Sequence, residues 1–365
     1  MRTIGRIAVA LAVAAAGCTT PARPAAPPAD RAPVIIDADQ YGVIFLDVAA
    51  VRYVGVRRDG TVAWRVPAGD RDPAPVMCLD RCPDAVLSGS AASLISPAMP
   101  DPEPVLMVDG RAHPIATLTA PKRWVLTARS ADDLVVHTGD RNGQWWLEIR
   151  HGANTERVSV GGPRTSWRED ADGRYGLAVS AAGAVTPGPT GAGPAYEARW
   201  FERDDAGWRV TGSPVQVAGG TACLHPDGSQ ALLIGQRPVL LDRTGAQTPV
   251  TDLERAGTCA LTRAGGIVAD LTRAVSGSRS ALRVFDAAGK VTWSAETAQP
   301  VAVVADPAGA RVGYVAGDSL IEIDPLTGAV LRTTGQTRAA RYDGSGGVVV
   351  VHTDLSVAWL DAVGR

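Results

Sequence analysis

From Val34 onward, apolar positions fall in short Val-, Ile- and Leu-rich runs bounded by Gly, Pro, Asp and Asn, and few stretches repeat at the 3.6-residue period of a helix. The pattern predicts an all-β body. The 40 glycines and 26 prolines then act as turn punctuation, because runs such as "GGVVVVHT" and "ARVGYVAG" alternate with them. The punctuation also repeats. "IIDADQYGVIF" (35–45) and "REDADGRYGLAV" (168–179) both read as strand, Asp-rich turn, strand. Further copies follow, and the landmarks Gln40, Asp84, Asp132, Gly173, Gly228, Gly265, Gly309 and Gly346 lie 37 to 55 residues apart. A period near 40 suits a β-propeller whose blades are four-stranded sheets, each too small to bury its faces alone. Eight copies favour eight blades, with seven as the alternative.

A second hairpin per blade is legible in "VRYVGVRRDGTVAWRV", "PVLLDRTGAQTPV", "ALRVFDAAGKVTWSAE" and "IEIDPLTGAVL". In each, Asp or Arg precedes a glycine able to take a positive φ, and the chain reverses. Asp324 is placed to accept turn amides, Pro325 fixes φ, and Gly328 closes the turn. These hairpins resemble the PQQ-like (quinoprotein-type) propeller repeat, A-x-D-x-x-T-G-x-x-x-W. Asp324, Thr327 and Gly328 match, as do Asp286, Gly289 and Trp293, and Gly60 and Trp64, whereas Arg332 stands at one tryptophan position. The resemblance implies that the tryptophan docks on the neighbouring blade, and it covers about four degenerate hairpins. "SVAWLDAVGR" ends the last blade one strand short, so Val34 to Ile36 is a candidate to complete it.

The N-terminus changes the picture from fold to location. Residues 1–17 have a basic start and an apolar run from Ile7 to Ala16, too short for the roughly 20 residues of a membrane span, and they read as an export signal. Ala15-Ala16-Gly17-Cys18 resembles the lipobox of bacterial lipoproteins, although Ala15 stands where that family usually has leucine. The resemblance implies lipidation of Cys18, which would become the mature N-terminus. Residues 18–33 then form a Pro/Ala-rich tether reaching roughly 45 Å at about 3.1 Å per residue, and residues 34–365 form the propeller domain. The expected location is the outer face of the cell membrane, or a leaflet of the periplasm or outer membrane.

Setting Cys18 aside leaves four cysteines, an even set for an exported chain, so Cys78, Cys82, Cys223 and Cys259 are candidates for disulfides. Their spacing fits no zinc pattern. The formal charge of −2 and pI of about 6.2 give no long-range attraction to nucleic acid.

Candidate chemistry is sparse. The quinoprotein resemblance invites a PQQ dehydrogenase, but the adjacent cysteine pair that this family uses beside its cofactor is absent, and no cofactor is expected. Asp170-Ala171-Asp172-Gly173 looks like part of a calcium loop without its bidentate Glu, and the same D-x-D recurs at Asp37 and Asp39, which favours a turn. His113, His137, His151, His225 and His352 are scattered, no catalytic residue is assigned, and no metal is expected. Trp145-Trp146 and Trp200-Phe201 offer either packing or a platform, and alternation requires Trp145 and Trp146 to face opposite sides. Long connections at Ser88 to Pro104, Ala181 to Pro194 and Leu271 to Ser280 join second to third strands, so one loop-bearing end is the expected recognition face.

The reading is a monomeric, lipid-anchored propeller that binds a protein or envelope component without catalysis. The alternative is an exported propeller enzyme, lactonase-like or quinoprotein-like, with its site in the axial channel.

Overall fold

The protein is described from a computed structural model covering residues 32–68, 75–78, 82–87, 105–108, 110–114, 122–130, 132–140, 142–162, 165–170, 172–181, 196–234, 238–253, 256–270, 280–297, 302–306 and 311–361. Residues 1–31, with Cys18, the expected signal segment and most of the expected tether, lie outside these residues, as do the interiors of the three long connections. Among the described residues there is no helix.

Every strand joins one of eight antiparallel sheets, and each sheet is a meander in chain order. Sheets 1 to 7 span 34–67, 75–114, 122–160, 165–217, 221–249, 256–297 and 302–335 with four strands each, and sheet 8 spans 337–360 with three. The repeat landmarks Gln40, Asp84, Asp132, Gly173, Gly228, Gly265 and Gly346 all fall in or beside the connection between the first and second strand of their sheet, and Gly309 lies outside the described residues. The three long connections all join second to third strands.

First strands set the arrangement. Val34–Ala38 touches Pro75–Cys78, which touches Lys122–Ser130, and so on through Thr165–Glu169, Thr221–Leu224, Ala256–Thr262 and Ala302–Ala305 to Thr337–Tyr342, which returns to Val34–Ala38. The eight first strands thus form a closed cycle of neighbour contacts. At the closure, Arg341 Nη1 donates to Ile36 O at 2.7 Å, and its Nη2 lies 3.0 Å from Asp37 Oδ1.

The core lies between successive sheets. Alternation sends one side of each strand toward each neighbour, so apolar residues on both sides are buried. Trp64 and Ile44 of sheet 1 meet Leu87 and Met107 of sheet 2, and Leu232 of sheet 5 meets Phe285 of sheet 6. Phe45 and Val54 of sheet 1 pack on Val349 and Val351 of sheet 8. Close approach needs glycine at two such places. A Cβ on Gly55 would sit 2.5 Å from the Trp64 ring, and one on Gly328 would sit 2.4 Å from Trp293 Nε1. Gly328 also takes φ +70°, so it both closes the hairpin of sheet 7 and receives the tryptophan of sheet 6.

Two expectations change. Val34 to Ile36 does not complete the last sheet. It pairs with the second strand of sheet 1, Val34 opposite Leu46 and Ile35 opposite Phe45. The turn to that strand is only three residues long, and Asp39 Oδ1 accepts the N–H groups of Tyr41 and Gly42. A local hairpin of this kind closes at a smaller entropy cost than pairing across the whole chain. The Arg332 departure from the repeat also has a physical account. Its guanidinium pairs with Glu322 directly across the hairpin, and Nη1 donates to Asp361 O at 2.7 Å, so it reaches the last sheet as the tryptophan would reach a neighbour.

Cys223 and Cys259 form a disulfide, and Cys82 is also disulfide-bonded. The first bond joins the first strands of sheets 5 and 6 across a separation of 36 residues, and closing a loop of that size is worth about 4 kcal/mol in the chain-entropy account.

Candidate functional site

Within each sheet, the first and second hairpin turns emerge at one end and the long second-to-third connections at the other. At the turn end, sheets 3 and 4 frame an open cavity of about 360 Å³ lined by His151, Asp172, Gly173, Arg174, Arg203, Asp204 and Asp205. Local sequence builds it. Asp170 Oδ1 accepts the N–H groups of Arg174 and Tyr175, which folds Asp172 and Gly173 outward as a turn. The neighbouring hairpin reverses at Asp204-Asp205-Ala206, where Asp204 Oδ1 accepts the Ala206 N–H.

Charge in the cavity is only partly paired. Arg203 bonds the buried Asp133, Arg174 lies 3.3 Å from Glu202, and Arg209 lies 3.0 Å from Asp204. Asp172 and Asp205 are exposed and have no ionic partner among the described residues. Beneath them, Asp133 Oδ1 and His151 Nδ1 face each other at 3.7 Å, and both atoms, with Arg203 Nε, are buried without a hydrogen bond. With the ion pairs set against one another, the cavity mouth carries an excess of negative charge.

The repeat residues occupy turns. Asp324 Oδ1 accepts the N–H groups of Leu326 and Thr327, which hold its carboxyl below the usual range, and Thr327 Oγ1 accepts the Ala329 N–H. Asp286 Oδ1 accepts from Ala288 and Lys290, and Gly289 bonds back to the Asp286 carbonyl. The D-x-D pairs also serve backbone. Asp39 Oδ2 accepts the Cys82 N–H of the next sheet, and burial raises the pKa values of both Asp39 and Asp170.

The histidines do not converge. His113 is exposed on sheet 2, His225 bonds Asp227 within its turn, His352 contacts Gln336 O, and His137 and His151 lie toward opposite ends of sheet 3. Among the described residues no group of three or more His, Cys, Asp or Glu is placed to hold a metal. Trp145, Trp200 and Phe201 are buried, so they pack; Trp146 is half-buried beneath the Arg157 guanidinium.

His137 is buried, stacked on Trp145 at 4.9 Å, with Nε2 3.2 Å from both Gly162 O and Thr165 Oγ1. Burial lowers its pKa to about 4. The unfolded chain, with a histidine near 6.5, therefore binds more protons between the two values, and stability falls as pH drops from 6.5 toward 4. The expected loss is about 3 kcal/mol from this residue. Denaturant titrations at pH 7 and pH 4 check it: His137→Phe should show a pH dependence smaller by that amount, and an unchanged dependence would contradict the assignment.

The cavity was not singled out in the sequence. Its signal is the pair "DADGR" and "RDDAG", one in each turn of the same sheet, which becomes visible only once both turns are known to leave at one end.

No family model matches the chain, and no curated protein matches it. Among solved structures it is similar to a eukaryotic initiation factor at 10% identity and TM-score 0.48, covering 91% of this chain and 89% of that one. It is similar to apo AztD from Citrobacter koseri at 13% identity and TM-score 0.43, covering 92% and 95%. It is similar to dipeptidyl peptidase 4 of Porphyromonas gingivalis at 10% identity and TM-score 0.47, covering 88% of this chain and 56% of that one. No functional conclusion is drawn from likenesses of this strength.

Proposed function

We propose that the protein is an exported, eight-bladed β-propeller with PQQ-like repeats, tethered to a membrane through lipidated Cys18, that binds a basic segment of an envelope component at its turn end. The cyclic first-strand contacts and eight meander sheets support the propeller. The export signal, the lipobox-like Cys18 and the Pro/Ala-rich tether support the anchoring. The observation that carries the binding reading is the cavity between sheets 3 and 4, whose exposed Asp172 and Asp205 have no cationic partners among the described residues. Two such carboxylates flanking a concave surface favour a lysine or arginine side chain, mainly by speeding association.

The test is affinity purification from detergent-solubilised membranes with the full lipoprotein and the Asp172→Asn/Asp205→Asn double variant. Exposed pairs contribute about 0.2–1 kcal/mol each, so the double variant should hold its partner roughly twofold to thirtyfold more weakly, and the difference should vanish in high salt. Equal recovery at low salt would refute the cavity assignment. Cys18→Ser in the same experiment should release the protein from membranes; retention would refute the anchor alone.

A further inference from the structure

The cycle of first strands encloses an axis, and its charge differs from that of the whole chain. First strands carry six basic residues, Lys122, Arg123, Arg129, Arg168, Arg338 and Arg341, and two acidic ones, Asp37 and Glu169.

Register identifies which of these share a level. In sheets 1, 4, 5, 7 and 8 the first hairpin is closed by the N–H of Asp39, Asp170, His225, Asp306 and Asp343. Two residues earlier on each first strand stand Asp37, Arg168, Cys223, Val304 and Arg341. Sheets 4 and 8 are opposite one another in a cycle of eight, so Arg168 and Arg341 face each other across the axis. Arg341 is neutralised by Asp37 at 3.0 Å. Among the described residues Arg168 has no carboxylate partner: Nε donates to Ala222 O at 3.1 Å and Nη1 to Trp167 O at 2.9 Å, and Nη2 has no acceptor among them. Its side chain reaches solvent. Partial desolvation by the surrounding protein, and then the charge of Arg341, hold its pKa below the usual arginine range.

We infer that Arg168, with Arg341 opposite, forms an anion site in the axial channel that takes the carboxylate or phosphate group of a small ligand. A guanidinium fixed by two carbonyls is oriented in advance and keeps a donor free, the arrangement that oxyanion recognition uses. The site is separate from the cavity at the turn end and does not depend on it.

Isothermal titration of the full chain with inorganic phosphate and, separately, with acetate should show saturable binding at one site per chain for at least one anion. A preference for either distinguishes phosphate from carboxylate ligands. Arg168→Gln should weaken that binding at least about tenfold, the scale of a hydrogen bond to a charged group, while Asp59→Asn, in the exposed second turn of sheet 1, leaves it unchanged. A readout on the wild-type chain covers a variant that fails to fold. The favoured anion should slow phenylglyoxal modification of Arg168, followed by mass spectrometry, at least about threefold relative to chloride at equal ionic strength, on the same charge-assisted grounds. No saturable binding of either anion, equal binding by Arg168→Gln, or an unchanged modification rate would each overturn the assignment.

Discussion

Glu322→Ala is expected to destabilise the protein by about 3–5 kcal/mol, the cost of removing one partner from a buried ionic cluster. Glu322 is fully buried on the third strand of sheet 7. Its carboxylate pairs with Arg332, lies 3.5 Å from Arg311 Nη1, and accepts the Tyr342 hydroxyl of sheet 8 at 3.1 Å. Burial and this neighbouring carboxylate hold the Tyr342 phenol well above its usual range. Without Glu322, the buried Arg311 keeps Asp306, 3.8 Å away, the Gly346 carbonyl at 2.5 Å and the face of the Tyr342 ring, and among these only Asp306 carries charge. Arg332 also loses its carboxylate. Guanidinium chloride denaturation measures the loss, and Glu322→Met with Arg332→Met should recover part of it, because a matched apolar pair removes two charges together. A Glu322→Ala effect below about 1 kcal/mol, the scale of an exposed pair, would show that the cluster is solvated.

Phe45→Ala should cost about 3–5 kcal/mol, the range for emptying a large buried aromatic site. Phe45 is 2% exposed and packs with Val54 and Val56 of its own sheet on Val349 and Val351 of sheet 8. This contact joins the beginning of the described chain to its end, so the variant should do more than lower stability. Native-state hydrogen exchange should rise together in sheets 1 and 8, because each loses the surface against which it is buried. Faster exchange confined to sheet 1 would mean that the two sheets do not close on one another.

The architecture was legible because the chain repeats its punctuation. Landmarks such as Gly173, Gly228 and Gly346 mark hairpins in which side-chain oxygens and glycine backbone angles act locally, and local chemistry can be read from a single sequence. The fate of Val34 to Ile36 could not be read so directly: the same apolar tripeptide suits an edge of either terminal sheet, and the three-residue turn at Asp39 decides it. Arg332 looked like erosion of the repeat. Only the cross-strand register opposite Glu322, together with the carbonyl of Asp361, shows the arginine making the inter-sheet contact by ionic means. The cavity was hidden for a related reason. Asp172 and Asp205 are 33 positions apart in sequence, and their nearness follows from strand direction rather than from any linear motif. Arg168 was quoted only as the first letter of a turn, and its charge gained meaning when sheet 8 placed Arg341 across the axis.

The most direct measurement of the binding claim is site-specific photo-crosslinking in intact membranes, with p-benzoylphenylalanine placed at the exposed Ala206 beside Asp205 and, as a reference, at Val62 on the fourth strand of sheet 1. A discrete adduct is expected from position 206 that Asp172→Asn diminishes, and none from position 62. Adducts of equal yield at both positions, or an adduct at 206 indifferent to Asp172→Asn, would contradict the claim.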